Sequence, residues 1–279
     1  MVIETYQNKN FLYYLKVVIG FVEFATLRGF SWTDKELLVL NLHSTPKKLT
    51  TNFENHIKFL RKNFNIIKPS DLRNSQLHSA GGKPKLLLTF DDGLKNNLYA
   101  AEILEKYDLQ ALFFIVPEFV ESSLKKEGKK YYLTNIRPVV NPKFDKEPED
   151  FESLSWLEIK RLVNAGHSIG SHTMSHLLNS DMEDYELNSE ITESKKFIEE
   201  KVDVTIMDFC SPNNTALSVS RRALQFIELN YKFHFTTYHG ANDAKNIPHQ
   251  IKRINIESYW DLGVVKFALG RFQNNRMQS

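Results

Sequence analysis

Hydrophobic and polar positions follow two alternating periods along most of this chain. Short apolar runs, typical of buried strands, are followed by stretches in which apolar residues recur with the spacing of a helix face. The predicted strands cover residues 36–43, 85–90, 111–116, 168–171, 205–209, 231–237 and 251–256, and the predicted helices cover 51–64, 96–107, 156–165, 182–202, 219–229 and 260–269. Strands that alternate with helices over short connections have parallel neighbours, so the pattern predicts an α/β barrel or wound sheet.

The first apolar stretch, residues 11–27, stands outside this cycle. Lys16 and Glu23 interrupt it and Arg28 follows it, so it is a poor membrane span and a poor signal peptide. As a helix it gathers Lys16, Gly20 and Glu23 on one narrow stripe, and the rest of its surface is apolar. Two interpretations stay open: a helix that packs against the main domain, or a helix that lies in a membrane interface.

The domain boundary is predicted after this stretch. Residues 1–33 would form an N-terminal amphipathic helical segment, and residues 34–279 would form the main domain. Within that domain, residues 121–150 are charged and contain Pro138, Pro142 and Pro148. This composition predicts a long insertion loop that could cover a site.

The predicted strand at 85–90 ends abruptly on Asp91, Asp92 and Gly93. Both of its faces are mostly apolar, as in a strand that is buried on both sides of a parallel sheet. Adjacent carboxylates repel each other, so a positive group should lie between them or one of them should be protonated. Sites in α/β sheets and barrels are built at this end of a strand. The alternative is an Asp-Asp-Gly turn that water solvates.

Two histidines, His172 and His176, follow the short predicted strand at 168–171. If this segment turns helical, both imidazoles lie on one face and can share one cation. Together with Asp92 they would form a three-ligand site with an open position, which is the pattern of a catalytic zinc. Such a metal would supply the positive charge that the carboxylate pair lacks. The alternative is a pair of ordinary surface or core histidines.

Composition and charge narrow the choice of function. The chain has 279 residues, is 42% hydrophobic and 25% charged, and is therefore ordinary globular material. Its net charge of +2 gives no reason to expect nucleic acid as a partner. Cys210 is the only cysteine, which excludes an internal disulfide. The lack of an export signal predicts a cytoplasmic protein, peripheral at the inner membrane if the 11–27 helix lies on lipid.

The segments Thr89–Gly93 (TFDDG) and Ser171–His176 (SHTMSH) resemble the first two motifs of the polysaccharide deacetylase family, also called the NodB-homology family or carbohydrate esterase family 4. They match in order, spacing and strand context, and the resemblance extends from His43 to about Ile256. It implies a distorted (β/α)7 barrel. It also implies a hydrolase that removes an N-acetyl group from an amino sugar of a bacterial surface polysaccharide or its precursor.

The resemblance further implies roles for single residues. Asp92, His172 and His176 would hold a divalent metal, usually zinc, and Asp91 would be the general base. The metal would polarise the acetamide carbonyl and lower the pKa of a bound water. The backbone N–H of Asn213 would help the metal to hold the oxyanion.

The chain departs from the family in two motifs. The family's third motif, Arg-x-Pro-Tyr-Gly, is replaced by Cys210–Asn214 (CSPNN), so the arginine that pairs with the base is missing, and the fifth motif, Leu-x-His, is not found. We expect Arg253, in a late strand, to orient Asp91 instead. His239, at a predicted strand end, is the candidate for the general acid, and an exposed loop histidine is the alternative. Cys210 itself is expected to be a small buried residue rather than a nucleophile.

Three other functions stay open. The same metal site could hydrolyse another non-peptide C–N amide bond on a small molecule. Because two motifs are degraded, the protein could also be a catalytically inactive homologue that binds glycan. Finally, the 11–27 helix could dock the protein to a glycan assembly complex at a membrane.

Overall fold

Short runs of buried apolar residues form the strands of a closed barrel. The computed structural model describes residues 11–26, 32–73, 77, 82–137, 148–212 and 219–274. The strands within these ranges are β1 (Glu36–Leu42), β2 (Asn65–Ile66), β3 (Lys85–Phe90), β4 (Leu112–Ile115), β5 (Ser168–Ser171), β6 (Asp208–Cys210), β7 (Phe233–His239), β8 (Asn242–Asp243) and β9 (Gln250–Asn255).

In this part of the chain, seven of the strands close the barrel, each parallel to the next, in the order β1, β3, β4, β5, β6, β7 and β9. The ring closes because β1 pairs with both β9 and β3. The short strand β2 adds to β3 in parallel, and β8 pairs antiparallel to the first residues of β1. The predicted (β/α)7 barrel is therefore confirmed, and the carboxyl ends of its seven strands share one rim.

Helices surround the barrel. They are α1 (Phe11–Thr26), α2 (Thr50–Asn63), α3 (Pro69–Arg73), α4 (Asn97–Lys106), α5 (Pro117–Leu124), α6 (Gly128–Tyr131), α7 (Trp156–Asn164), α8 (Asp184–Leu187), α9 (Ser194–Val202), α10 (Arg221–Asn230) and α11 (Leu262–Asn274). A π-helical segment at Tyr132–Ile136 continues α6, and another at Asn188–Glu193 joins α8 to α9. Ser155 caps α7 in a capping box with Glu158, as its sequence suggests.

Most predicted elements are present with shifted ends, but the segment at 121–150 differs from its prediction. The segment predicted as an insertion loop over 121–150 is helical through the end of α5, α6 and the π-helical segment that follows, up to Ile136. Prolines and charge had suggested a loop, yet the prolines begin only at Pro138, after this helical stretch. Residues 138–147 lie outside the described part of the chain.

The N-terminal helix α1 packs against α11 at the end of the chain. A Cβ atom at Gly20 would lie 2.0 Å from the carbonyl oxygen of Gly263 and 2.8 Å from the amide nitrogen of Phe267, so the close approach requires glycine. The face turned away from α11 leaves large apolar side chains exposed, namely Leu12, Tyr14, Leu15, Val18 and Val22. Among the described residues, no helix has both the length and the apolar character that crossing a membrane requires. The contact with α11 supports the packed-helix interpretation, while a boundary after residue 33 stays a prediction.

Alternation along the strands divides the core into two parts. One set of side chains fills the barrel interior, including Leu37, Val39, Leu87, Leu112, Phe114, Phe235 and Ile251. The alternate set packs beneath the helices, including Leu38, Leu40, Leu86, Leu88, Phe113 and Ile254. The ring of Phe114 lies against Gly170. A Cβ atom added at Gly170 would be 2.5 Å from Cε1 of Phe114. The interior is thus filled by side chains, and the space for a site lies at the rim.

Candidate metal centre and catalytic site

The two aspartates that follow β3 are separated by a sharp turn of the backbone. The amide of Asp91 donates to the carbonyl of Leu42 at 2.9 Å, which continues the pairing of β3 with β1. The next residue, Asp92, has a φ of 71°, and Gly93 has a φ of 63°. Left-handed backbone of this kind is uncommon for residues other than glycine and is often found at functional sites. The turn lets two adjacent carboxylates reach different partners.

Asp92 meets both histidines of the second motif. Its Oδ1 atom lies 3.5 Å from Nε2 of His172 and 3.4 Å from Nε2 of His176. All three residues are buried, and their candidate ligand atoms lie within 4.8 Å of one another. The barrel therefore brings together the three residues that the sequence predicts as metal ligands.

Backbone carbonyls orient both imidazoles. Nδ1–H of His172 donates to the carbonyl of Cys210 at 2.8 Å, and Nδ1–H of His176 donates to the carbonyl of Asn135 at 2.9 Å. In the neutral rings, Nε2 then carries the lone pair, and it faces Asp92. The Oδ2 atom of Asp92 is buried and accepts no hydrogen bond within the described structure. This donor set, with oriented histidines and an unsatisfied carboxylate oxygen, fits a divalent metal such as zinc.

The histidines do not lie on a helix, so that part of the prediction was wrong. After β5, residues 172–176 form an irregular loop in which Thr173 has a φ of 65° and His176 a φ of 68°. The imidazole centroids are nevertheless 5.0 Å apart. The loop thus brings the two imidazoles together, as one helical turn had been expected to do.

Asp91 pairs with Arg253 inside the barrel. Nη1 of Arg253 donates to Oδ1 at 2.7 Å, and Nη2 donates to Oδ2 at 2.9 Å. Nε of Arg253 donates to the carbonyl of Thr236 at 2.8 Å, which fixes the guanidinium plane. Burial alone would raise the pKa of Asp91, but the charges of Arg253 and His172 outweigh burial and lower it. The contact predicted from sequence is present, and it keeps the carboxyl group ionised.

Cys210 lies beside this ion pair. Its Sγ atom is 3.0 Å from Nη2 of Arg253 and 3.8 Å from both carboxylate oxygens of Asp91. Burial raises the pKa of the Cys210 thiol well above its usual range, so the thiol stays neutral. A neutral buried thiol is a poor nucleophile. The small side chain stands where the family's third motif has an arginine, which leaves room for the guanidinium of Arg253.

One predicted site residue, His239, is not brought to this group. His239 is exposed and lines a surface pocket with Trp32 and Lys252. In the sheet His239 is the register partner of Arg253, after an irregularity in β7, but its side chain is exposed whereas that of Arg253 is buried. The structure therefore does not support His239 as the general acid. Asn213 lies outside the described residues.

His43 and Glu257 form a second pair at the rim, which sequence reasoning did not identify as part of the site. Nδ1 of His43 is 3.3 Å from Oε1 of Glu257, and the two side chains are 17% and 14% exposed. His43 follows Leu42, the partner of Phe90 in the sheet, so it comes beside Asp91. The strand-end position of His43 was a weak signal, but no motif marks Glu257.

Arg137 also reaches the candidate metal centre. Its Nε atom is 3.8 Å from Oδ2 of Asp92, and its side chain is 26% exposed. Burial acts to lower the pKa of Arg137, but the charges of Asp92 and Glu257 outweigh burial and raise it. The residue follows the π-helical segment Tyr132–Ile136 and lies in the stretch that had been predicted as a loop, where no sequence signal pointed to it.

A parallel (β/α)7 barrel with two histidines and one carboxylate at its rim defines a class of barrel proteins with a candidate metal site. The sequence model of one family within it, described as polysaccharide deacetylase, matches residues 78–232. The chain belongs to the polysaccharide deacetylase family.

Individual relatives agree with this assignment. The chain is 28% identical over 159 residues to YxkH of Bacillus subtilis, whose name assigns it to the polysaccharide deacetylases, and the match covers 55% of this chain and 45% of YxkH. It is 28% identical over 120 residues to a peptidoglycan-N-acetylglucosamine deacetylase of Bacillus cereus, with 42% of this chain and 41% of that protein covered. The matches thus span less than half the length of these curated relatives.

Solved structures share the fold. The deacetylase PplD of Streptococcus pyogenes superposes with a TM-score of 0.61 at 19% identity, covering 84% of this chain and 98% of PplD. IcaB from Ammonifex degensii gives a TM-score of 0.61 at 17% identity, covering 84% of this chain and 97% of IcaB. At these identities the likeness concerns the barrel and not the substrate.

We expect the protein to bind about one zinc ion per chain at the Asp92 group. Replacing His172 by alanine removes one of three ligands, so zinc affinity should fall by ~100-fold or more. Isothermal titration of the metal-free protein with zinc measures this. His239→Ala is the matched control and should bind like wild type. Equal affinity in His172→Ala and wild type would contradict the assignment of the ligands.

The Asp91–Arg253 pair should couple strongly in unfolding. Arg253→Met leaves a buried carboxylate without its partner, which should lower the free energy of unfolding by about 3–5 kcal/mol. The double variant Arg253→Met/Asp91→Asn removes both charges and should recover much of that loss. Urea unfolding of the four proteins in this cycle gives the coupling energy. Arg222→Met, which breaks an exposed pair with Asp184, is the control and should change little. Additive effects of the two single changes would contradict the coupling.

Proposed function

We propose that this protein is a metal-dependent hydrolase that removes an N-acetyl group from an amino sugar of a surface polysaccharide or its precursor. One observation carries the proposal: adjacent carboxylates have different partners. Asp92 belongs to the histidine group that fits a metal, and Asp91 is kept ionised by Arg253 without being part of that group. Metal-assisted hydrolysis requires a residue that holds the metal and, beside it, an ionised base that does not bind the metal.

Asp91 serves as the general base in this proposal. A metal held by Asp92, His172 and His176 would polarise the acetamide carbonyl and make the attacking water more acidic. Asp91 accepts the proton of that water as the oxygen attacks the carbonyl carbon. Its two bonds to Arg253 leave lone pairs on both oxygens, because each carboxylate oxygen can accept more than one hydrogen bond. Arg253 thus orients the base without blocking it.

His43 serves as the general acid in place of His239. When the C–N bond breaks, the departing nitrogen needs a proton, since an unprotonated amide anion is a poor leaving group. The carboxylate of Glu257 lies 3.3 Å from Nδ1 of His43, so in this proposal Nε2 is the nitrogen that donates the proton. The products are acetate and the free amine of the sugar.

Arg137 stabilises the developing negative charge in this proposal. The family places a backbone donor at the position of Asn213, and that contribution stays a prediction here. The guanidinium of Arg137, close to Asp92 and partly exposed, supplies a positive charge on the open side of the site. A fixed charge next to a forming oxyanion lowers the barrier more than the same charge in water.

Family membership and the name of one relative, which acts on N-acetylglucosamine of peptidoglycan, support an N-acetylated glycan as the substrate class. Hydrolysis of another C–N amide bond uses the same residues and is the alternative enzyme function. A catalytically inactive glycan-binding protein is the alternative without chemistry. The cytoplasmic location and the membrane contact of residues 11–27 stay predictions.

Asp91→Asn tests the proposal directly. The variant keeps the shape of the side chain but loses the basic oxygen, so acetate release from N-acetylated oligosaccharides should fall by ~10²–10⁴-fold. Acetate is measured by a coupled assay, and oligosaccharide binding by titration calorimetry. Zinc content should match wild type, which separates loss of the base from loss of the metal. A wild type that binds the oligosaccharide but releases no acetate with zinc present would favour the inactive glycan-binding protein.

His43→Gln tests the acid. Loss of the proton donor should slow acetamide hydrolysis by ~10²–10⁴-fold but leave hydrolysis of an aryl acetate ester nearly unchanged, because its phenolate leaves without protonation. Rates for the two substrates are compared in wild type and variant. His239→Gln is the control and should retain both rates. An equal loss with both substrates would rule out the acid role of His43.

A further inference from the structure

The loop that carries His176 has unusual backbone angles. Thr173 and His176 both adopt left-handed backbone, with φ angles of 65° and 68°. Such angles are uncommon for residues with a Cβ atom, and they persist only where the surroundings hold them. The position of the His176 ring therefore depends on whatever fixes the backbone between these two residues.

Glu190 binds the backbone between Thr173 and His176. Its Oε2 atom accepts hydrogen bonds from the amides of Met174 at 3.0 Å and Ser175 at 2.9 Å, and its Oε1 atom accepts from the Ser175 hydroxyl at 2.7 Å. The loop carbonyls are held from elsewhere: the Glu118 amide donates to Met174 at 3.0 Å, and the Tyr131 hydroxyl donates to Ser175 at 2.9 Å. One carboxylate thus satisfies both amides at the centre of the turn.

The π-helical segment Asn188–Glu193 aims Glu190 at the loop. The Ser194 hydroxyl donates to the Glu190 carbonyl at 2.8 Å, and it lies 2.9 Å from the hydroxyl of Ser171. Ser171 is the last residue of β5 and immediately precedes His172. Single π-helical turns inside α-helices are frequent at functional sites, where they redirect side chains. The helix is therefore tied to both ends of the histidine loop.

We propose that Glu190 is a positioning residue for the metal centre: by bonding the Met174 and Ser175 amides, it holds His176 at the distance from Asp92 and His172 that a shared metal needs. Within the described residues, the hydrogen bonds of the Glu190 carboxylate go to Met174 and Ser175 and to none of the three candidate ligands, so it acts through the loop. The inference rests on the proposed metal-dependent function. It adds a carboxylate that neither of the two recognised motifs contains.

Glu190→Gln tests the proposal with the full chain. The amide keeps the length of the side chain and can still pair with the Ser175 hydroxyl, but it replaces the charge-assisted bonds to the Met174 and Ser175 amides by weaker neutral ones. Zinc affinity should fall by ~10–100-fold, as is typical when a group that orients metal ligands is lost. The visible absorption of the cobalt-loaded variant should also shift, because it reports ligand geometry. Glu200→Gln, at an exposed position of α9, is the matched control and should match wild type.

A readout without metal separates this inference from the proposed function. In the metal-free protein, the Met174 and Ser175 amides should exchange with deuterium at least ~10-fold faster in Glu190→Gln than in wild type. Ser175→Ala, which loses only the hydroxyl bond, gives a milder second variant with a smaller change of the same sign. Unchanged exchange and zinc affinity in these variants would overturn the role of Glu190. A wild type that binds no divalent metal would instead refute the proposed function.

Discussion

The buried ion pair between Asp91 and Arg253 is the interaction on which the rest of the site depends. Two adjacent ionised carboxylates at the end of a buried strand repel each other and lose hydration, so each requires a positive partner. Arg253 provides one across the barrel interior, and it is the largest of the fully buried side chains that the structure describes. The turn at Asp92 then directs the second carboxylate to the histidines. Without the first pair, the barrel would have to leave one charge buried and unpaired.

Barrel closure explains why these partners meet. β9 lies far from β3 along the chain, but β1 pairs with both and places them on either side of itself. The parallel direction of the strands gathers their carboxyl ends at one rim, where Asp91, His43 and the histidine loop come together. The small thiol of Cys210 on β6 leaves the space that the Arg253 side chain crosses. Arg253 on β9 thus takes the place of the arginine that the family's third motif would supply at the end of β6.

The residues behind the ligands decide how well the site is formed. Carbonyl groups of Cys210 and Asn135 set the tautomers of the two histidines. Glu190 and the π-helical segment around it fix a loop that would otherwise have little reason to keep left-handed backbone at two positions. Three separate elements therefore supply the outer support, and each comes from a part of the chain with no recognisable catalytic motif. Rigid support of this kind is what lets a metal site keep its geometry through a reaction.

The sequence alone determined the order of strands and helices, the pair Asp91 and Asp92, and the histidines at 172 and 176, because period and local motif depend only on neighbouring residues. It also pointed to Arg253, because the family resemblance implies an arginine beside the base and this chain carries one in a late strand. Tertiary structure decided the rest. His43 meets Glu257 and Arg137 meets Asp92 only once the barrel closes, and the fold leaves His239 exposed in a surface pocket. These contacts join residues far apart in the chain, so no local pattern encodes them.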